Sequence, residues 1–228
     1  MRKCLIAGIT MLAASTVALS AAMSRGEEKR LRDAADVLHE LHESPDNDIP
    51  QDLWDKAACV VVIPSVKKAA FIFGGEYGKG VMSCRTETGW TAPAFMMIAK
   101  GSVGFQIGGE SIDLVLLVMN EHGTKHLLED KVALGGEASI AGGPVGRDAR
   151  ALTDAQLKAE ILSYSRSQGL FAGINLTGGV LKPDPDSNED VYGKDIHTAD
   201  IVQRRTVTVP PQADVFMRAL RRTSAPFN

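Results

Sequence analysis

Three glycine clusters carry a cation in or beside them. They are Gly74-Gly75-Glu76-Tyr77-Gly78-Lys79-Gly80, Gly101-Ser102-Val103-Gly104 just after Lys100, and Gly142-Gly143-Pro144-Val145-Gly146-Arg147. Exposed backbone N–H groups beside a lysine or arginine can hold a phosphate or a lipid head group. The same residues also suit tight hairpin turns with ordinary surface charge. None of the clusters has the spacing of a nucleotide-binding loop or a dinucleotide fingerprint.

His122 and His126 stand four apart, a spacing that lets two imidazoles share a metal on a helix. Gly123 lies between them and no third ligand follows except Glu121 or Glu129, so the segment reads as a surface turn. His39-Glu40-Leu41-His42 lacks the zinc-protease spacing and fits a solvated helix face. Asp184, Asp186, Asn188 and Asp190 alternate like the start of a calcium loop, with Asp195 in its last position. However, Glu189 stands where such a loop needs glycine, and Pro185 stiffens its beginning, which favours a solvated acidic loop. Ser163, Ser165 and Ser167 lack the Gly-x-Ser-x-Gly elbow of a nucleophile. No His or Asp close in sequence completes a triad around them. The expectation is a non-catalytic chain with no cofactor and no metal.

The elements that must position these residues read as an α+β fold. Leu31, Ala34, Ala35, Leu38 and Leu41 recur at helical spacing over 25–43, and Pro45 ends that helix. Pro50 opens a short helix to about Ala58 that buries Leu53 and Trp54. From Cys59 the period changes to two, with candidate strands at 59–64, 69–75, 80–86, 93–100, 102–109 and 112–119. A helical turn near 124–130 is followed by a strand near 132–141. Thr153 and Gln156 form a capping-box pattern, after which a strand runs from about 160. Leu170 to Leu176 is a further strand, and 184–193 a polar loop with room for one helical turn. Pro210 and Pro211 open a last helix with Ala213, Phe216, Met217 and Leu220 on one face. The predicted architecture is an antiparallel, Gly-rich sheet or partly closed barrel with N-terminal helices and a C-terminal helix.

Residues 1–22 read as a secretory signal peptide: Arg2 and Lys3, an apolar run from Cys4 to Leu19, then Ser20-Ala21-Ala22. Cys4 precedes the apolar run, so it is not placed as a lipid-attachment cysteine. The expected location is therefore periplasmic or secreted, with 23–228 a single domain. After the leader only Cys59 and Cys84 remain, a candidate disulfide or two buried thiols. Hydrophobic residues make up 44% and charged residues 23%, which excludes a disordered chain. The formal net charge of −3 offers no basic field for nucleic acid.

Several segments together resemble the SYLF domain. They are Val62-Ile63-Pro64 with Lys67-Lys68-Ala69, Gly74-Gly75-x-Tyr77-Gly78-x-Gly80-Val81, Gly89-Trp90-x-x-Pro93, Gly101 to Gly108, and Val118-Met119-Asn120. The likeness is sharpest in Ala141 to Arg147 and in Ser163-Tyr164-Ser165-Arg166-Ser167-x-Gly169-Leu170-Phe171-Ala172-Gly173. It spans roughly 31–193. The resemblance implies a non-catalytic lipid-binding module, whose eukaryotic relatives bind phosphoinositides and whose yeast relatives also bind actin. Bacterial relatives are exported. An exported chain without an SH3 module is not expected to meet actin, so the implied partner is a phospholipid or membrane surface, and any protein partner is unknown. The cations then implicated are Lys67, Lys68, Lys79, Arg147 and Arg166, with the 25–43 helix as the membrane-facing element. Against this, Leu31, Leu38 and Leu41 on that helix also suit packing on the sheet, and its mixed charge is unlike that of an interfacial helix. A structural or protein-interaction domain is the alternative, a hydrolase a more distant one. A small outer-membrane barrel would need aromatic girdles that a chain with 5% aromatics lacks.

Overall fold

The fold is taken from a computed structural model that describes residues 23–42, 48–70, 73–103, 111–129, 131–146, 153–167 and 170–223. Residues 1–22, the expected leader, and Arg147 lie outside the described residues, as does the side chain of Lys68. In chain order the elements are α1 (Arg25–His42), α2 (Gln51–Lys56), β1 (Cys59–Ala70), β2 (Phe73–Thr86), β3 (Gly89–Trp90), β4 (Ala94–Val103) and β5 (Ser111–Val118). Then come α3 (Glu121–Leu127), β6 (Val132–Ala133), β7 (Ile140–Gly142), α4 (Asp154–Lys158), β8 (Ile161–Ser167), β9 (Leu170–Gly173) and β10 (Gly179–Pro183). α5 (Pro185–Tyr192), α6 (Thr198–Val202), a 3-10 turn (Pro211–Ala213) and α7 (Asp214–Thr223) complete the fold.

The strands form one sheet in the order β6-β10-β4-β2-β1-β5-β8-β7, with β3 beside β2 and β9 beside β8. It curls into a half-barrel. Its pairs are antiparallel except β7 with β8, which is parallel. That exception follows from the chain path: 143–160 must carry the chain back before β8 can lie beside β7 in the same direction.

Both faces of the sheet are covered, which explains the unbroken apolar run Val60-Val61-Val62-Ile63, whose four side chains are fully buried. On one face Val60, Val62, Val81, Phe95, Val115 and Leu117 pack with α1, α2 and α7. On the other, Val61, Ile63, Met82, Met96, Leu114 and Leu116 meet Leu127 of α3 and Ile201 of α6. Leu31, Ala34, Leu38 and Leu41 of α1 are fully buried against this core. The proposal that α1 presents its apolar face to a membrane is therefore corrected: a face already buried on the sheet cannot also insert into lipid.

Two long strands, β1 and β2, replace three short expected ones at 59–64, 69–75 and 80–86. Pro64 does not end β1. It sits in a β-bulge, where the register with β2 shifts between Val62 and Lys67 and Ser65 takes a left-handed φ of 52°. A bulge tolerates a proline that a regular ladder would reject. The Ser65 N–H donates to Asp113 Oδ1 at 2.8 Å, which holds the bulge in place. The strand expected at 102–109 continues β4 as far as Val103; beyond it the reading lies outside the described residues. The Thr153 capping box forms as expected, with Gln156 N–H donating to Thr153 Oγ1 at 3.3 Å and Thr153 N–H to Gln156 Oε1 at 2.9 Å.

Cys59 and Cys84 face each other across β1 and β2 and are disulfide-bonded. The bond joins residues 25 apart. Closing a loop of that size is expected to contribute about 3 kcal/mol. Reduction should lower the urea midpoint accordingly, and an unchanged midpoint would show that the bond is energetically idle.

Candidate functional site

The bulge in β1 and the glycines of β2 shape a groove against α1. Lys67 pairs with Tyr77 across the strands just past the bulge. Gly78 lies under the bulge, where a Cβ would stand 2.7 Å from both Ile63 Cγ2 and Val66 Cγ2. Gly75, Gly78 and Gly80 are thus ladder positions that let two strands approach, not a phosphate-cradling loop and not a hairpin turn.

The groove encloses about 270 Å³ between Lys29, Arg30 and Asp33 of α1, Pro64, Ser65 and Lys67 of β1, and Tyr77, Gly78 and Lys79 of β2. Tyr77 is 48% exposed. Lys67 is exposed and forms no ion pair with any described residue. Lys29 bonds Asp33 at 2.5 Å on the helix surface.

Beneath the groove lies a buried charge cluster. Asp184 is fully buried, and its Oδ2 accepts from Arg30 at 3.0 Å, Lys79 at 2.9 Å and Ser187 Oγ at 2.8 Å. Arg30 also stacks over the Phe95 ring, 5.2 Å from its centre. Burial pushes the Asp184 carboxyl up. The bonds from Lys79 and Ser187 and the charges of Lys79 and Arg30 outweigh this and hold it below its ordinary 3.8.

Of the cations singled out from sequence, Lys67 and Lys79 therefore meet at one groove. Lys29 and Arg30 join them and were not foreseen. Only tertiary packing sets which side of α1 faces the bulge. Arg166 is not in this set: it pairs with Glu40 of α1, with Asp113 Oδ2 at 3.7 Å, and is spent holding β8 to its neighbours. The Asp113 carboxyl is raised by burial; the Ser65 bond offsets part of this and the Asp33 charge adds to it. Arg147 and the Lys68 side chain lie outside the described residues.

The calcium-loop reading is corrected. Pro185 starts a helix, as proline does at a first helical position, so Asp186 and Asp190 sit on α5 and not in a loop. Asp184 is taken by Arg30 and Lys79. Asn188 is buried, and its side chain accepts from Phe95 N–H at 2.8 Å and donates to Phe95 O at 3.1 Å. The alternating polar residues thus dock α5 on β4.

Ser163 is buried, and its hydroxyl lies 3.1 Å from Ala141 O and 2.5 Å from Ile174 O. Committed to two carbonyls, it is not poised as a nucleophile. His122 and His126 are on a helix, not in a surface turn, and Glu160 lies with them. Glu160 was missed because it is 38 residues from His122 and has no local signal.

Residues 99–223 match the family described as Ysc84, Las17-binding protein actin regulator. An SH3 domain-containing protein of Schizosaccharomyces pombe is 38% identical over 164 residues, 70% of this chain and 38% of the relative. Protein YSC84 of Saccharomyces cerevisiae is 34% identical over 179 residues, 77% of this chain and 38% of the relative. The bovine SH3 domain-containing YSC84-like protein 1 is 33% identical over 188 residues, 79% of this chain and 54% of the relative. The chain thus spans about two fifths of the yeast relatives and about half of the bovine one. More than half of its residues fall within the family match, and the sequence motifs around Tyr77, Gly89, Gly142 and Tyr164 lie on the strands and turns just described: the chain belongs to the Ysc84 (SYLF) family.

Proposed function

We propose that this chain is a non-catalytic binding domain whose groove between α1 and the β1–β2 pair receives an acidic segment of a partner protein. The observation that carries the reading is Lys67, an exposed cation without an ion pair among the described residues, set between Lys29, Lys79 and the exposed Tyr77. Tyrosine beside cations is the composition of an interface anchor. Relatives named as LAS seventeen-binding proteins support a protein partner. The net charge of −3 makes attraction local to this patch.

A second reading places an anionic phospholipid head group in the same groove. Lys67 beside a cavity of about 270 Å³ favours it, a lysine near an anionic surface being worth about 1 kcal/mol. Lys29 and Lys79 already answer Asp33 and Asp184. An exported, periplasmic or secreted location belongs to the proposal. The Cys59–Cys84 bond supports it, because such bonds persist in oxidising compartments. Actin stays outside the proposal for the same reason.

Fluorescence anisotropy with a labelled Glu-rich peptide, beside co-sedimentation with phosphatidylglycerol vesicles, separates the readings. Saturable peptide binding that weakens as salt rises supports a protein partner. Co-sedimentation without peptide binding supports the head group instead. Binding of neither contradicts the groove as a binding surface.

A further inference from the structure

α3 turns the four-residue spacing of His122 and His126 into adjacency: their rings lie 4.6 Å apart, edge to face. The third member arrives from the residue just before β8. Glu160 Oε1 bonds His122 Nδ1, and one ligand atom from each of His122, His126 and Glu160 lies within 4.8 Å of the others.

Gly123, which argues against a helix in the sequence, makes this possible. A Cβ there would stand 3.0 Å from Val118 Cγ1 and 3.2 Å from Glu160 Cβ, so its absence lets α3 settle onto the start of β8. Asn120 caps the helix, accepting from Gly123 N–H at 2.8 Å. Glu160 is itself fixed: Oε2 accepts from Ser139 N–H at 2.8 Å, and its own N–H donates to Ser139 Oγ at 3.0 Å.

His126 supplies an independent observation. Both ring nitrogens are sealed from solvent without a hydrogen-bond partner. Buried polar atoms of that kind call for an explanation, an ion among them. Glu129 Oε1 lies 3.6 Å from His126 Nδ1, where a carboxylate orients a ligating imidazole.

We propose that His122, His126 and Glu160 bind a divalent first-row transition-metal ion, Zn²⁺ in type, through two imidazole nitrogens and one carboxylate oxygen. The donor set decides the class: imidazoles suit zinc and its neighbours, whereas calcium and magnesium take oxygen ligands. Two ligands of a tetrahedral ion with bonds of about 2.0–2.2 Å stand about 3.5 Å apart. The ion would therefore replace the His122–Glu160 hydrogen bond, with these two groups parting slightly and His126 closing in. His122, with a side chain 69% exposed, is free to make this adjustment. That exposure leaves the fourth position open to solvent. The ion would pin α3 to the β7–β8 edge of the sheet, and the site is independent of the lysine groove.

Isothermal titration of the purified protein with Zn²⁺, with Co²⁺ absorption as a spectroscopic probe, tests the site. The expected result is one ion per chain and a rise in melting temperature reversed by a chelator. His122→Ala removes an exposed side chain and is expected to leave the metal-free fold intact. It should weaken binding by about 100-fold or more, since even outer-shell changes cost about 10–100-fold. His39→Ala, on α1 across the sheet from α3, should leave the affinity for Zn²⁺ unchanged. No saturable binding by the wild-type chain, or equal binding by His122→Ala, would overturn the proposal.

Discussion

Asp184→Ala is expected to destabilise the fold by about 3–5 kcal/mol, the cost of stranding a buried charge. Asp184 is fully buried, and Arg30 beside it is 11% exposed. With the carboxylate gone, Arg30 would remain sealed over Phe95 without its ion-pair partner. The cluster also joins α1, β2 and the start of α5, so its loss loosens three elements together. Lys29→Ala should cost under about 0.5 kcal/mol, because the Lys29–Asp33 pair is exposed and screened. Urea denaturation of both variants measures the contrast.

The same aspartate sets an acid limit. Its folded pKa lies below the ordinary 3.8. A group depressed in this way contributes stability that is complete above the unfolded value and lost as pH falls through the folded one. The difference in stability between wild type and Asp184→Ala should therefore hold steady at neutral pH and shrink below about pH 4. A difference that grows on acidification would contradict the ion pairing.

Gly80→Ala is the second large effect. A Cβ at Gly80 would stand 2.1 Å from Val62 O and 2.7 Å from Ile63 Cα. Both are backbone atoms, so no side-chain rotation relieves the contact, and β1 must move away from β2. The expected cost is about 3 kcal/mol or more, at or beyond the upper end of ordinary overpacking. Gly101→Ala makes a matched control: a Cβ there meets nothing within 4 Å. It should be neutral or stabilising by about 0.4–1 kcal/mol through the unfolded state. Equal melting temperatures for the two variants would refute the close approach of β1 and β2.

These positions also show how much was legible before folding. α1, α2 and α7 follow directly from apolar spacing, because burial of Leu31, Leu53, Trp54, Phe216 and Leu220 needs no distant information. The disulfide was open to reading, since the reading of 1–22 as a leader leaves Cys59 and Cys84 as candidates. β1 and β2 together read as three strands because Pro64, Gly78 and Gly80 resemble punctuation. In the fold one is a bulge and the others are places where backbones meet. The polar residues from Asp184 to Asp190 read as a loop, because their partners, Arg30 and Phe95, lie 154 and 93 residues away. Lys67 and Lys79 were legible as cations. Their shared groove was not, because it depends on a register shift that only pairing with β2 and β5 creates.

Titration of a Glu-rich peptide onto the wild-type chain and Lys67→Glu addresses the groove most directly. Lys67 is exposed and supports no described ion pair, so reversing its charge is expected to leave the melting temperature unchanged. Losing a charge-assisted contact of about 1.5–3 kcal/mol should weaken peptide binding by about tenfold or more. The same affinity in both proteins would place the binding surface elsewhere and contradict the groove as the site where this domain meets its partner.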